Sequence, residues 1–152
     1  MTEPEDPAAV AQAIVDASAY MTIATAGADG VPWASPVWFA TEDRREFLWV
    51  SDPEARHSRN IAARPQIALV MFDSHSAVGT GRGVYVAATA SRLGGAAAER
   101  AIGVFSRVSV EQGASSWTLA DVSGEARLRL YGAVARECWV GARDDRRFAV
   151  AL

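Results

Sequence analysis

The sequence predicts a small antiparallel β-barrel flanked by two or three helices, an α+β arrangement that is mainly β. Six or seven short runs rich in β-branched and aromatic residues recur along the chain. Spacers suited to tight turns, such as Ala28-Asp29-Gly30, separate the early runs. Helical spacing of apolar residues occurs in only two or three segments. With 152 residues, half of them hydrophobic, we expect a single domain over residues 1–152 in which residues 1–6 are loose.

The first elements follow from caps and periodicity. A helix is predicted over Pro7 to Ala19, because Asp6 can cap it and Val10, Ile14 and Ala17 recur on one face. The pattern then becomes extended. Three strands, expected to form an antiparallel meander, are predicted at Met21 to Thr25, Trp33 to Phe39 and Phe47 to Ser51.

The next segment is the most informative in the chain. Asp52 is a good N-cap and Pro53 suits the first helical position, so a short helix is predicted to begin there. Arg56 and His57 then fall within about the first turn, where cations are disfavoured by the partial positive charge of the helix N-terminus. A bound phosphate would resolve that conflict. The alternative is that the arginines of this helix form only its solvated face.

The second half of the chain continues the pattern. Strands are predicted at Gln66 to Phe72, just after Pro65, and at Gly83 to Ser91, with Gly79 to Gly83 as a hairpin loop rather than a nucleotide loop, because a strand and not a helix follows it. A helix is expected over Gly94 to Arg107, and residues 108–124 should be irregular with a short helical turn. The chain should close with strands at Arg127 to Tyr131 and Arg136 to Val140, a charged turn from Arg143 to Arg147, and an apolar tail.

Composition excludes several functions. A net charge of −3 argues against nucleic-acid binding through a basic face, and no apolar run is long enough to cross a membrane. All 15 basic residues are arginine, which excludes Schiff-base lysines and the lysine of a P-loop. Cys138 is the single cysteine, so we expect no intrachain disulfide and a cytoplasmic location. His57, His75 and Cys138 lack the spacings of zinc sites, so no metal site is expected.

The order strand, strand, Trp49-Val50-Ser51, short arginine-bearing helix, Arg64-Pro65, strand resembles the pyridoxamine 5′-phosphate oxidase-like flavoproteins. The likeness covers roughly residues 8–140 and is most specific across Thr22 to Val70. It implies an FMN-binding split β-barrel that forms a homodimer with the cofactor at the subunit interface.

The resemblance also implies roles for particular residues. Arg56 and His57 match the basic pair that holds the FMN phosphate, with Arg59 assisting, although many members have Lys where His57 stands. Val50 and Ser51 would lie at the ribityl chain and the phosphate. The isoalloxazine ring would be flanked, mostly through backbone groups, by Ser35, Pro36, Val37 and Trp38.

The substrate side departs from the family. Ala40 stands at the position of a substrate-phosphate lysine, Gly83 replaces a polar residue that reaches the flavin, and the Arg-Leu-His segment that grips pyridoxal phosphate is missing. The resemblance therefore implies a flavin oxidoreductase acting on an unidentified small molecule, with no catalytic side chain assigned, rather than a true pyridoxamine phosphate oxidase. Two alternatives stay open: a deazaflavin (F-420 type) reductase, whose extra cations would be Arg44, Arg45 or Arg82, and a non-catalytic flavin-binding or sensing module.

Overall fold

The computed structural model of the chain describes residues 6–142 and 144–152. The expected loose lead at residues 1–6 therefore lies outside the described residues except for Asp6, as does Arg143 of the expected charged turn. There are three α-helices: α1 (Pro7–Ala17), α2 (Arg56–Ala63) and α3 (Gly95–Glu111). The strands are β1 (Tyr20–Ala26), β2 (Pro32–Trp38), β3 (Glu46–Ser51), β4 (Gln66–Phe72), β5 (Gly83–Arg92), β6 (Arg129–Gly141) and β7 (Arg147–Val150).

All seven strands belong to one antiparallel sheet. Hydrogen bonding joins them in the order β2-β1-β4-β5-β6-β3, and β7 also pairs with β6. Within the described residues, β3 is linked to the chain that leaves β2 by a single bridge between Ala40 and Leu48. The sheet therefore does not close, and the predicted six- to seven-stranded antiparallel split β-barrel with two to three flanking helices is confirmed.

Alternation along β3 and β6 separates two apolar clusters. Phe47 and Trp49 of β3 are fully buried on the barrel side, where Trp49 stacks on Tyr131 with ring centroids 5.8 Å apart. Leu48, one residue between them, faces the opposite side and packs with Phe105 of α3. Successive side chains of a strand point to opposite faces, so β3 contributes residues to both clusters and is covered on both faces.

The expected meander is wrong beyond its first hairpin. β1 and β2 pair over their full length, from Tyr20 opposite Trp38 to Ala26 opposite Pro32. β3, however, pairs with β6, from Glu46 opposite Val134 to Ser51 opposite Arg129. Six consecutive backbone pairings with a distant strand, together with the Trp49–Tyr131 stack, outweigh the short sequence separation from β2.

The end of the chain also differs from expectation. The two predicted strands are one thirteen-residue strand, β6, because the apolar residues between them keep pairing with β5 through an irregularity at Ala87/Ala88. The expected tail forms β7 on β6. Helix α3 continues to Glu111, four residues beyond its predicted end, and a 3₁₀ turn follows at Leu119–Val122.

Helix α1 packs against the barrel with Ala11 and Val15 fully buried. The Asp6 carboxylate accepts a hydrogen bond from the Ala8 N–H, and Pro7 occupies the first turn, as the sequence predicts. No described helix combines the length and apolar character needed to span a bilayer.

Candidate functional site

The loop between β3 and α2 shapes the candidate site. Helix α2 begins at Arg56 after an Ala55 N-cap, so the predicted start at Pro53 with Asp52 as N-cap is wrong. The Asp52 carboxylate instead accepts from the Glu54 N–H at 2.9 Å and from Arg127 at 2.7 Å. Because Asp52 closes this turn and pairs with Arg127, the helix begins three residues later, and Arg56 is its first residue.

The start of α2 therefore has no side-chain cap. Ala55 cannot accept a hydrogen bond through its side chain, and the first turn contains no acidic residue. Ser58, the third helical residue, is 2% exposed, and its hydroxyl has no partner among the described residues. An uncapped helix start beside a buried, unpaired hydroxyl is an arrangement with unused hydrogen-bond donors.

The Ser51 hydroxyl at the end of β3 adjoins this helix start. His57 Nε2 lies 2.8 Å from Ser51 Oγ, and Ser51 is 9% exposed. Burial of the imidazole lowers the pKa of His57 below its usual value of 6.5. The family resemblance assigned both residues to one site, and the structure brings them into contact.

The Arg56 side chain extends to a different strand. Its guanidinium lies over the Trp33 indole, with Cζ 4.4 Å from the ring centroid. Trp33 Nε1 in turn donates to the Ser35 hydroxyl at 3.0 Å. This chain of contacts connects β2 to the first residue of α2.

A buried hydrogen bond holds α2 against β1. Asn60 Nδ2 donates to the Thr25 hydroxyl at 3.0 Å, and Thr25 is 4% exposed. Close approach is possible because Gly27 has no side chain, since a Cβ there would lie 2.9 Å from Asn60 Oδ1. The Asn60–Thr25 hydrogen bond fixes the position of α2, whose first turn carries Arg56 and His57.

The remaining predicted residues lie around this region with different environments. Pro36 is exposed on β2, while Val37 points into the barrel core. The Trp38 indole belongs to the cluster under α3, where it makes an edge contact with Phe105. Val50 also packs against that cluster, and Arg59 is exposed with Glu54 3.9 Å away.

The donors at the start of α2 fit an oxyanion such as a phosphate. Backbone N–H groups, two serine hydroxyls, an imidazole and a guanidinium all favour an anionic acceptor. No carboxylate is paired with Arg56 in the described part of the chain, in contrast to Arg59 and Arg127. Metal chemistry has no comparable support, because the described residues contain no group of three or more His, Cys, Asp or Glu placed to hold an ion.

Two residues of this region were missed by sequence reasoning. The sequence indicates only that Trp33 begins a strand, and no local signal indicates that its ring faces Arg56, which follows it by 23 positions. Ser58 follows directly after the predicted pair, but its burial depends on the true helix start. If the sequence had predicted a helix start at Arg56, Ser58 would have fallen in the first turn and would have been a candidate phosphate donor.

Comparison with known proteins establishes the family. The sequence profile described as pyridoxamine 5′-phosphate oxidase matches residues 8–137. The chain belongs to this family. A pyridoxine/pyridoxamine 5′-phosphate oxidase from Burkholderia lata is 42% identical over 52 residues, which is 34% of this chain and only 24% of that relative. The family membership therefore rests on the profile rather than on full-length likeness to an oxidase.

Solved structures with low sequence identity to this chain confirm the fold. A heme binding protein from Mycobacterium smegmatis superposes with a TM-score of 0.69 at 20% identity, covering 98% of this chain and 59% of that one. A FAD-binding protein from Mesorhizobium loti gives a TM-score of 0.66 at 15% identity, covering 88% and 92%. At these identities the likeness concerns the fold, and the neighbours differ in the ligands their descriptions name.

Proposed function

We propose that this protein binds FMN, with its phosphate at the start of α2, and acts as a flavin-dependent oxidoreductase on a small molecule. The observation that carries the proposal is the uncapped helix start beside the buried, unpaired Ser58 hydroxyl and the Ser51–His57 pair. Membership of the pyridoxamine 5′-phosphate oxidase family supports a flavin. The single cysteine supports a cytoplasmic location.

Each donor has a distinct part in holding the phosphate. Arg56 donates through its planar fork, which matches phosphate geometry. Ser51 and Ser58 donate through their hydroxyls, and His57 donates from Nε2 when the phosphate displaces its contact with Ser51. Arg59, exposed on the same helix, adds charge and little directional contact.

The ring system would lie along β2 and the end of β3. The side chains of Val37, Trp38 and Val50 are already packed in the two apolar clusters, so their contribution is through backbone groups. Ser35 keeps its hydroxyl near the ring path through the Trp33 contact. Bound flavin supplies hydride or electron transfer, while these residues orient it and exclude water.

The substrate differs from pyridoxamine phosphate. Ala40, at the position of the family's substrate-phosphate lysine, is 1% exposed and packs in the cluster under α3. A methyl group buried there offers no charge to a substrate phosphate. We therefore propose a different small acceptor, with the chemistry carried by the flavin and no catalytic side chain assigned.

One contact outside the α2 site favours FMN over the deazaflavin alternative. The longer acidic tail of the deazaflavin requires additional cations. Arg44, one of the candidates, is held by Asp16 through two hydrogen bonds of 2.7 and 2.8 Å. Breaking the Arg44–Asp16 pair would offset part of the free energy gained by binding the acidic tail.

A second copy of the chain is the proposed partner. Paired positions on the outward face of the sheet are small, with Ala24 opposite Ala68 and Ala68 opposite Ala87. Tyr20 and Phe72 are 65% and 56% exposed on neighbouring strands. An exposed face of small and aromatic residues is typical of self-association.

A spectrum and a titration test the proposal. Purified protein should carry a flavin absorption spectrum, and the apoprotein should bind FMN saturably and the deazaflavin less tightly. Replacing Arg56 with Ala should weaken FMN binding by about 1.5–3 kcal/mol, since a charge-assisted partner is lost. The matched control is Arg64→Ala, which removes an exposed arginine at the other end of α2 and should change the affinity little.

The outcome separates the alternatives. Equal FMN affinity in Arg56→Ala and the parent would show that the phosphate is not held at α2. Reduction of the bound flavin by a nicotinamide donor, followed by oxidation by an added acceptor, distinguishes an enzyme from a storage or sensing module. Tighter binding of the deazaflavin than of FMN would reverse the choice of cofactor.

A second candidate function is tetrapyrrole binding, favoured by one observation at the opposite end of β1. A cavity of about 800 Å³ lies between α1 and the β4–β5 loop, with Tyr20 and Phe72 on its wall and His75 at its rim. The His75 imidazole is 94% exposed, and an imidazole is a common axial ligand of heme iron. Titration with hemin tests this candidate: a Soret shift that His75→Ala removes would support it, and an unchanged spectrum would exclude it.

A further inference from the structure

The Trp33 side chain has an arrangement that packing alone does not require. It is 40% exposed on β2, yet both of its polar features are in use. Its indole N–H donates to Ser35, which fixes the ring orientation, and its face carries the Arg56 guanidinium at 4.4 Å. The hydrogen bond to Ser35 therefore fixes the orientation of the Trp33 ring, and the face of that ring holds the Arg56 guanidinium.

The arginine in question is the one at the start of α2. A free arginine loses much rotamer freedom when it grips a ligand, so a partner that fixes the side chain beforehand raises affinity. A carboxylate would also fix it, but would compete with an anionic ligand for the same N–H groups. Stacking on an aromatic face leaves the N–H edge of the guanidinium available.

We infer that Trp33 is a positioning residue for the phosphate of the cofactor, acting through Arg56. The inference rests on the proposed function, because it assumes that Arg56 binds that phosphate. Trp33, whose orientation is fixed by the Ser35 hydroxyl, sets the direction in which Arg56 presents its N–H donors. The ring thereby contributes to affinity for phosphate-bearing flavins without contacting the phosphate.

The test compares FMN with riboflavin, which has the same ring and ribityl chain but no phosphate. In the parent, FMN should bind more tightly than riboflavin. Trp33→Leu should weaken FMN binding about three- to tenfold, the fold-change expected for loss of one cation–π contact. Riboflavin binding should change less than about twofold, because it makes no use of Arg56. Trp33→Phe keeps an aromatic face and should restore most of the FMN affinity.

A double-mutant cycle provides the second measurement. Once Arg56 is replaced by Ala, adding Trp33→Leu should weaken FMN binding no further, because Trp33 then has no guanidinium to position. Far-ultraviolet circular dichroism and thermal melting of each variant establish that it is folded. If Trp33→Leu does not fold, Ser35→Ala takes its place and should weaken FMN binding more than riboflavin binding by releasing the indole.

The results distinguish the inference from the proposed function. If the parent binds FMN no better than riboflavin, or Arg56→Ala has no effect, the phosphate site fails and the inference fails with it. If Arg56→Ala weakens FMN while Trp33→Leu weakens FMN and riboflavin equally, Trp33 only packs. The positioning role is then overturned and the phosphate site stands.

Discussion

Binding of a phosphate at the start of α2 should draw a proton onto His57. In the free protein, burial lowers the pKa of His57 below its usual 6.5, and Nε2 lies 2.8 Å from Ser51 Oγ, so the imidazole is mainly neutral near pH 7. A phosphate group carrying about −1.5 to −2 charges next to it favours the imidazolium. FMN binding should therefore take up a proton and strengthen as the pH falls from about 8 toward about 6.

The magnitude follows from linkage. Uptake of one proton changes the binding free energy by at most about 1.4 kcal/mol per pH unit, which is a factor of about ten in Kd. The stability of the free protein should change in the opposite direction. Because the folded pKa of His57 is depressed, its contribution to stability is fully present above pH 6.5 and is lost as the pH falls through the folded pKa.

The assay is a calorimetric FMN titration across this pH range in buffers of different ionisation enthalpy, which counts the protons taken up. His57→Gln, an uncharged variant, removes the titrating group and should flatten the pH dependence. Whatever slope remains in that variant belongs to the phosphate of FMN itself. Equal slopes in parent and variant, or no proton uptake by the parent, would refute the reasoning.

Three further predictions concern the stability of the fold and the proposed dimer. Asn60→Ala should lower the free energy of unfolding by about 1–3 kcal/mol in urea denaturation, because the buried Thr25 hydroxyl loses its donor and keeps only its 3.5 Å contact to the Trp33 carbonyl. Arg59→Ala, which removes an exposed ion pair, should cost about 0–1 kcal/mol, and equal costs would contradict a stabilising role for the Asn60–Thr25 hydrogen bond. Phe105→Ala should cost about 3–5 kcal/mol by emptying the cluster under α3, and a loss below about 1 kcal/mol would show that α3 packs loosely. Ala68→Arg should prevent the proposed dimer from forming, giving a monomer mass in sedimentation equilibrium with unchanged circular dichroism; the same mass as the parent would exclude this face as the interface.

Part of the candidate site could be predicted because the family resemblance assigned Ser51 and His57 to one phosphate site. Ser51 and His57 are six positions apart, separated by one turn, and the structure places them in contact. The Arg56–Trp33 stack has no such signal, since nothing near either residue indicates the other. The binding roles given to Ser51, Arg56 and His57 stay predictions until a cofactor is titrated.

The sequence by itself determined the class of fold and most of its elements. Asp6 and Pro7 determined where α1 begins, and the short apolar run just after Pro65 determined β4, because caps and short apolar runs act within a few residues. Only the tertiary structure decided that β3 pairs with β6, and that Asp52 binds Arg127 rather than capping α2. Those choices compare contacts between residues about 75 or more positions apart, and the free energy of such contacts exists only once the chain has folded.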